Sequence, residues 1–197
     1  KGKKIKFNYR FLVHELVPYN DQYVLLGEAF YPRYISTTGG YNSFFSPYVN
    51  PSAVVRNGRI FDGYYYTHAV VMGFDSQGKL LWDNSFEIND VRTFTLEQFV
   101  KLEVKDDRIA LLYLYDDKIR TKIIKDNEVL EGKSMDPIRT LNENAIVKKE
   151  NLEGGKLEYW YNDYLYAYGV QEVETLDNSR KPVKRKVFFI NKVTYAN

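Results

Sequence analysis

The feature that most constrains the fold is a series of short apolar segments, each ended within a few residues by Asn, Asp or Gly. Segments of this kind, joined by residues that favour turns, are typical of antiparallel hairpins. The sequence therefore predicts an all-β fold, an antiparallel meander of about 10–12 strands. The predicted strands are Phe11–Val17, Tyr23–Tyr31, Tyr65–Phe74, Leu80–Ile88, Phe99–Val104, Arg108–Tyr115, Lys118–Lys125, Glu128–Glu131, Leu157–Tyr161, Tyr164–Glu174 and Lys186–Tyr195.

Composition and turn chemistry support this interpretation. Aromatic residues make up 16% of the chain, with 18 Tyr and 12 Phe, and these residues favour strands. Asp75 and Gly78 suit a type I turn closed by a left-handed glycine. Helix signals are limited to about two turns at Thr95–Phe99 and a short turn within Asp136–Asn144.

Acidic dipeptides occur at several predicted turns: Asn20-Asp21, Asp106-Asp107, Asp116-Asp117, Asp126-Asn127 and Asn162-Asp163. None has the alternating oxygen ligands of a D-x-D-x-D-G calcium loop, and Asp and Asn are preferred turn residues. We interpret them as turns, and we expect no metal and no cofactor.

A form made of an apolar strand, an Asn/Asp-Asp turn and a second apolar strand occurs at His14–Gly27, Leu102–Leu114 and Leu157–Tyr168. A further hairpin follows the first two, at Val70–Phe86 and Ile119–Leu130, and four-stranded units are the blades of β-propellers. The segment Ala69–Trp82 resembles the outer hairpin of many propeller blades, in which Asp-x-x-Gly joins an apolar strand to one ending in Trp.

The chain also resembles uncharacterised bacterial envelope proteins that have a Tyr-rich insertion before a Gly-Lys-Leu-Leu-Trp-like hairpin. This resemblance implies propeller-like blade units and a location in the periplasm or at the cell surface of a bacterium, and it carries no assigned activity. Since three units are fewer than the four to eight blades of a typical propeller, the alternative is a self-contained β-barrel or sandwich.

No linker-like stretch divides the 197 residues, so we expect a single all-β domain over residues 1–197. The chain begins with Lys1 and its first methionine is Met72, which suggests the C-terminal part of a longer protein. Cysteine is absent, which excludes disulfides, Cys-ligated zinc and thiol catalysis. No apolar run reaches the roughly 18–20 residues of a membrane helix.

The net charge of +2 is too balanced to indicate a nucleic-acid partner. Basic residues do cluster at Lys1–Arg10 and Arg180–Lys186, and both clusters flank apolar strands. We interpret the two clusters as solvated strand ends.

Residues 32–63 interrupt the meander and hold three of the six prolines and four of the twelve glycines. Tyr among Ser, Gly and Asn is the composition of antibody-type recognition loops. The predicted binding residues of this Tyr/Gly/Pro-rich insertion and its flank are Tyr34, Tyr41, Phe44, Phe45, Tyr48, Tyr64, Tyr65 and His68. The alternatives are that the insertion folds back over one end of the core, or that it is disordered.

Motifs of the common catalytic classes are missing: there is no Gly-x-Ser-x-Gly, no phosphate-binding glycine loop and no His-Glu-x-x-His. Of the two histidines, His14 is interpreted as a core or edge residue. Glycoside hydrolysis needs two carboxylates at a set separation, and the weak catalytic candidates are Glu28, Asp62, Glu87 and Asp90.

The sequence thus favours a noncatalytic binding or structural module that meets a glycan or a protein through its Tyr-rich insertion. One alternative is a carbohydrate-active hydrolase that pairs Glu28 with Asp62, Glu87 or Asp90. Another is an oligomerisation module, since an open sheet edge recruits strands from other chains.

Overall fold

The computed structural model describes residues 9–36, 55–56, 59–115, 118–138, 146–149, 155–162, 164–176 and 181–194. These residues form an all-β structure of antiparallel strands. The strands are β1 (Arg10–Val13), β2 (Val17–Tyr19), β3 (Gln22–Ser36), β4 (Val55–Arg56), β5 (Arg59–Phe74), β6 (Leu80–Thr93), β7 (Lys101–Lys105), β8 (Arg108–Tyr115), β9 (Lys118–Lys125), β10 (Glu128–Pro137), β11 (Ile146–Lys149), β12 (Lys156–Tyr159), β13 (Leu165–Leu176) and β14 (Pro182–Val193). The part of the chain described contains no helix that could cross a membrane.

The strands form three sheets. The first has the order β1-β3-β5-β4, with β2 paired to β3 and β6 paired to β5. The second is a meander in the order β10-β9-β8-β7, and the third has the order β11-β13-β12, with β14 paired to β13. The described strands close neither a barrel nor a propeller.

Backbone contacts divide the chain into two compact units. Unit 1 comprises Lys1–Pro18 and Tyr23–Gln98, and unit 2 comprises Tyr19–Gln22 and Phe99–Asn197. The first sheet belongs mainly to unit 1, whereas the second and third sheets lie in unit 2. The single domain over 1–197, and its place at the end of a longer protein, stay predictions.

Most of the predicted turns are confirmed by their backbone geometry. Positive φ angles occur at Asn20, Asp106, Asp107, Asp126 and Asn162, all of them residue types that tolerate the left-handed region. In the β5–β6 hairpin, Gly78 has a φ of 78° and its amide donates to the Asp75 carbonyl over 3.0 Å. Asp116-Asp117 lies outside the described residues.

The predicted strand Phe11–Val17 is wrong, because the chain there forms two strands, β1 and β2. His14, Glu15 and Leu16 lie between the two strands and belong to neither. The predicted helix at Thr95–Phe99 is also wrong, since these residues are irregular. In the second predicted turn, Asp136 and Pro137 belong to β10, and residues 139–144 lie outside the described residues.

The interruption predicted over residues 32–63 is narrower than expected at both ends. Strand β3 continues to Ser36, and β5 begins at Arg59. Ile35 lies opposite Ile60, so each strand supplies the other with hydrogen-bond partners through this region. Residues 37–54 and 57–58 lie outside the described residues.

The core of unit 1 lies on one face of the first sheet, where Val24, Leu26 and Phe30 alternate along β3. Glu28 occupies the same face and is 0% exposed. Its carboxylate lies 2.7 Å from Nε2 of His14, which supplies a partner for a charge that would otherwise be costly to bury.

The second and third sheets of unit 2 share one core. Leu112, Leu114 and Ile119 of the second sheet pack with Leu165 and Ala167 of the third. Packing of one sheet face against another is a standard way to bury two amphipathic sheets. In the third sheet this packing covers one face of β13, and the residues on its opposite face are partly exposed. Strand β8 of the second sheet is buried on both faces, with Leu111 and Tyr113 0% exposed.

A glycine in the first sheet allows a close approach between strands. Gly73 lies opposite Trp82, and a Cβ built on Gly73 would overlap the Trp82 ring. Trp82 is 8% exposed, so the indole fills space above the glycine. A larger residue at position 73 requires the indole or the strands to move.

We expect Gly73→Ala to lower the free energy of unfolding by about 1–3 kcal/mol, because it overpacks the contact with Trp82. The matched control is Gly132→Ala, where an added Cβ meets nothing within 4 Å. Chemical denaturation checks both variants, and equal stability of the two would contradict this account of Gly73.

Candidate binding surfaces

Sequence reasoning placed the binding surface around the insertion, and part of that surface lies in unit 1. Tyr31, Arg33, Asp62, Tyr65 and Arg92 form a group on β3, β5 and β6 that we call the tyrosine–arginine cluster. Tyr31 lies opposite Tyr65, and Tyr65 lies opposite Arg92, so register brings these three side chains to one face of the sheet. A register irregularity between Arg33 and Tyr34 accommodates Asp62 as an extra residue in β5.

Asp62 holds this cluster together. Its carboxylate lies 3.3 Å from Nε of Arg33 and 3.0 Å from Nη1 of Arg92. It also accepts a 2.8 Å hydrogen bond from the Tyr65 hydroxyl. One carboxylate thus joins three strands, and Gly63 beside it has a φ of 117° that a side chain would strain.

The rings of the cluster contact each other. Tyr65 stacks on Tyr31 with centroids 5.6 Å apart and planes 17° apart, and the guanidinium of Arg33 lies 5.1 Å from the Tyr65 centroid. Tyr65 is therefore enclosed between a ring and a cation. The aromatic surface of this cluster is largely used in internal packing.

Of the remaining predicted binding residues, Tyr34 and Tyr64 meet at Phe61, and His68 lies elsewhere. Tyr34 is 51% exposed and packs on Phe61 at 5.6 Å, and Tyr64 contacts Phe61 at 4.8 Å. His68 lies on the opposite face from Tyr66 and contacts Tyr9 at 6.2 Å, while its Nδ1 lies 2.9 Å from the Thr67 hydroxyl. Tyr41, Phe44, Phe45 and Tyr48 lie outside the described residues.

The candidate carboxylates are spread over both faces of the first sheet. Glu28 shares a cross-strand row with Ala69 and Phe86, so Glu87, the next residue after Phe86, lies on the opposite face. Asp62 is engaged by two arginines and a tyrosine. The Asp90 side chain lies outside the described residues.

Two carboxylates that flank one glycosidic bond must face a common space. Glu28 is buried on one face of the sheet and Glu87 is exposed on the other, so these two do not face a common space. Among the described residues there is also no group of three His, Cys, Asp or Glu side chains that could hold a metal ion.

Unit 2 carries a more exposed aromatic surface on the third sheet. Six rings follow one another and form what we call the aromatic row: Tyr164, Tyr161, Trp160, Tyr166, Tyr168 and Phe188. Successive centroids are 5.3, 4.9, 5.9, 5.4 and 6.4 Å apart. The row runs from the turn after β12, along β13, to the edge strand β14.

The alternation of side chains in β13 explains why this row faces outward. Leu165 and Ala167 are 0% exposed in the core shared with the second sheet. Tyr166 and Tyr168 alternate with them and therefore lie on the other face. Exposure is high on both sides of Tyr166 and Tyr168, with 52% at Trp160 and 66% at Phe188.

A lysine lies at each end of the row, one beside Tyr164 and one near Phe188. The Lys192 ammonium is 3.3 Å from the Tyr164 centroid and 5.6 Å from that of Tyr161, which is a cation–π arrangement. Lys186 lies on β14 two residues before Phe188, and strand geometry puts both side chains on one face.

The turn that carries Trp160 is anchored on the side of β12. The Tyr159 hydroxyl donates to the Leu102 carbonyl and accepts from the Leu102 amide, both over 3.0 Å. Next to it, Glu158 pairs with the buried ammonium of Lys101 at 2.7 Å. These contacts fix β12 to β7 and hold the start of the aromatic row in place.

Sequence reasoning missed the aromatic row. The signal was present, because Tyr164, Tyr166 and Tyr168 repeat at every second residue with Leu165 and Ala167 between them. This period-two pattern predicts one aromatic and one apolar face of a strand. Tyrosine is denser around residues 31–66, and this density predicts a surface in the other unit.

We expect Asp62→Asn to lower the free energy of unfolding by about 1 kcal/mol, because two exposed ion pairs lose their charge. The loss should shrink in 1 M salt, where the Debye length is about 3 Å. Urea denaturation at low and high salt measures both effects. Asp83→Asn is the control, since Asp83 has no ion pair among the described residues, and an equal effect there would contradict the role of Asp62.

We expect Tyr159→Phe to cost about 1–3 kcal/mol, since the buried amide and carbonyl of Leu102 lose their partner. Tyr161→Phe is the control, because the Tyr161 hydroxyl makes no hydrogen bond to the described residues. Thermal unfolding of both variants measures the difference, and similar melting temperatures would contradict the anchoring role.

Because the Tyr159 hydroxyl can ionise, we also expect the stability of the fold to depend on pH. Burial raises the pKa of Tyr159 above its usual value near 10, so the folded state holds this proton more tightly than the unfolded chain. The stabilisation is complete below pH 10 and is lost as the pH rises through the folded value. Denaturation between pH 8 and 11.5 should show a shallower alkaline loss in Tyr159→Phe than in Tyr161→Phe.

Comparisons with known proteins add no relative. No protein-family model matches the chain, no curated protein matches it, and no solved structure matches it.

Proposed function

We propose that this protein is a noncatalytic binding module that holds a glycan chain along the aromatic row of unit 2. The observation that carries the proposal is the run of six contiguous rings, open to solvent at Trp160 and Phe188. Contiguous exposed aromatic surface is uncommon on proteins that have no partner, and it marks a binding surface.

The chemistry of the row suits a sugar chain. A pyranose ring has an apolar face of C–H groups and a rim of hydroxyls. Tyr and Trp present an apolar ring with a polar tip, and so satisfy both parts of such a ligand. Tyr166, Tyr168 and Phe188 lie on strands, and the turn that carries the other three rings is closed by backbone hydrogen bonds between Trp160 and Tyr164 and between Tyr164 and Tyr161. Little side-chain entropy is therefore lost when a ligand binds.

The tyrosine–arginine cluster of unit 1 is a weaker candidate for the same role. Tyr65 is enclosed between Tyr31 and Arg33, and Asp62 occupies both arginines. Its contacts support a structural role, in which aromatic residues cover part of the first sheet. Binding through Tyr41–Tyr48 of the insertion stays a prediction, since those residues lie outside the described part of the chain.

Two finer expectations are part of this proposal. The second sheet, a four-stranded meander from β7 to β10, has the strand order of a propeller blade, which supports a blade-like unit within the fold. A module with this surface suits the periplasm or the outside of a bacterial cell, where polysaccharides are abundant.

The alternatives from the sequence receive less support. The described carboxylates do not favour a hydrolase, because Glu28 and Glu87 lie on opposite faces of the first sheet. Self-association through β14 would bring Lys184, Arg185 and Lys186 of two copies together. Basic residues on an edge strand oppose pairing with another copy.

We expect Trp160→Ala to weaken glycan binding roughly tenfold or more, as aromatic residues at the centre of binding surfaces commonly do. Affinity electrophoresis with hydroxyethyl cellulose, xylan and laminarin measures retardation of the wild-type protein and the variant. Quenching of tryptophan fluorescence gives a second readout, since Trp160 is 52% exposed and Trp82 only 8%.

Tyr34→Ala is the matched control, because Tyr34 is 51% exposed and belongs to the surface predicted in unit 1. Retained binding in this variant supports the aromatic row. Loss of binding in Tyr34→Ala with full binding in Trp160→Ala would move the site to unit 1. If the wild-type protein binds neither these neutral polymers nor a carboxylated polysaccharide, the glycan proposal is overturned.

A further inference from the structure

Each end of the aromatic row carries a lysine whose ammonium has no ion pair to a described carboxylate. Lys192 lies over the rings of Tyr164 and Tyr161, and no carboxylate of the described residues lies within 4.0 Å of its ammonium. Lys186 stands two residues from Phe188 and likewise has no ion pair to a described residue. Cations that lie beside exposed rings and have no carboxylate within ion-pair distance favour an anionic ligand.

The neighbouring charges on this sheet are already paired. Glu172 lies opposite Lys186 in register, but its carboxylate is 3.7 Å from Nζ of Lys184. Glu158 lies opposite Tyr166 and pairs with Lys101 at 2.7 Å. Among the described side chains of this sheet face, Lys186 and Lys192 therefore have ammonium groups without an ion pair, one at each end of the row.

From this arrangement we propose that the ligand of the aromatic row is an acidic polysaccharide, whose sugar rings lie on the aromatic side chains while its carboxylates or sulfates pair with Lys186 and Lys192. This inference rests on the proposed glycan-binding function and adds the charge class of the ligand. It also gives the two lysines a role in specificity.

The spacing of charge favours a sugar chain over a single-stranded nucleic acid. Nucleic acids carry a phosphate at every nucleotide, and proteins that bind them line the whole path with basic groups. Here the same sheet face also carries the carboxylates of Glu158, Glu172 and Glu174. A chain with fewer charges, separated by uncharged ring surface, avoids these carboxylates better.

Matched pairs of polymers test the inference. Partly methyl-esterified polygalacturonate is compared with the fully esterified polymer, and carboxymethyl cellulose with hydroxyethyl cellulose, by isothermal titration calorimetry at 20 and 300 mM salt. We expect the carboxylated member of at least one pair to bind about tenfold more tightly at low salt. Added salt should remove most of that difference, because it screens exposed charges.

Substitutions identify the lysines responsible. Lys186→Met and Lys192→Met together should reduce the affinity for the carboxylated polymer to that for its uncharged partner. Lys118→Met is the control, an exposed lysine of the same unit on β9. Because Lys192 also supports Tyr164, Lys186→Met alone and Lys192→Arg serve as milder variants: the first should lower the charged-polymer affinity severalfold, and the second should retain it.

The outcomes separate this inference from the proposed function. Equal affinity for both members of each pair overturns the acidic ligand and leaves a glycan-binding module. No binding to any polymer overturns both. Tighter binding to oligo(dT) or to poly-glutamate than to every polysaccharide replaces the acidic glycan with a nucleic acid or an acidic protein segment.

Discussion

The alternation of side chains along β13 is the constraint on which unit 2 depends. A strand in the middle of a sheet has two faces, and the packing of the second sheet against the third covers one of them. Leu165 and Ala167 meet this need with apolar side chains of modest size. The opposite positions are then free of the demands of the core, and tyrosines occupy them. The part of the candidate binding surface on β13 thus consists of the positions that alternate with the core residues.

The hairpins were the part of the fold that local sequence could predict. A left-handed turn needs residues such as Asn, Asp or Gly, so Asn20, Asp126 and Gly78 mark turns wherever the strands around them lie. Strand ends are harder, because pairing with a distant strand decides where a ladder stops. Ser36 is in β3 because Arg59 of β5 lies opposite it. The residues next to Ser36 in the sequence do not predict this pairing.

The candidate surface was only partly predictable for a different reason. Density of tyrosine is visible in a sequence, but the use of each ring depends on what packs against it. Tyr65 contacts Tyr31, which lies opposite it on β3, and Arg33, two residues further along that strand, so its surroundings are set by pairing with a distant strand. Tyr166 and Tyr168 are also tyrosines, in a strand whose side chains alternate regularly between two faces, but their ring neighbours Trp160 and Phe188 are exposed. The burial of Glu28 with His14 likewise follows from strands whose pairing is not local.

The contact between Gly73 and Trp82 bears on how the first sheet finds its correct alignment. The indole accepts only a residue without a side chain directly across from it, and the neighbours of that glycine in β5 are Met72 and Phe74. If β5 shifted by one position along β6, a methionine or a phenylalanine would meet the indole. All the other side chains of β5 would also turn to the wrong face. A single pair of residues thus penalises misaligned hairpins during folding, when long strands are most prone to slip.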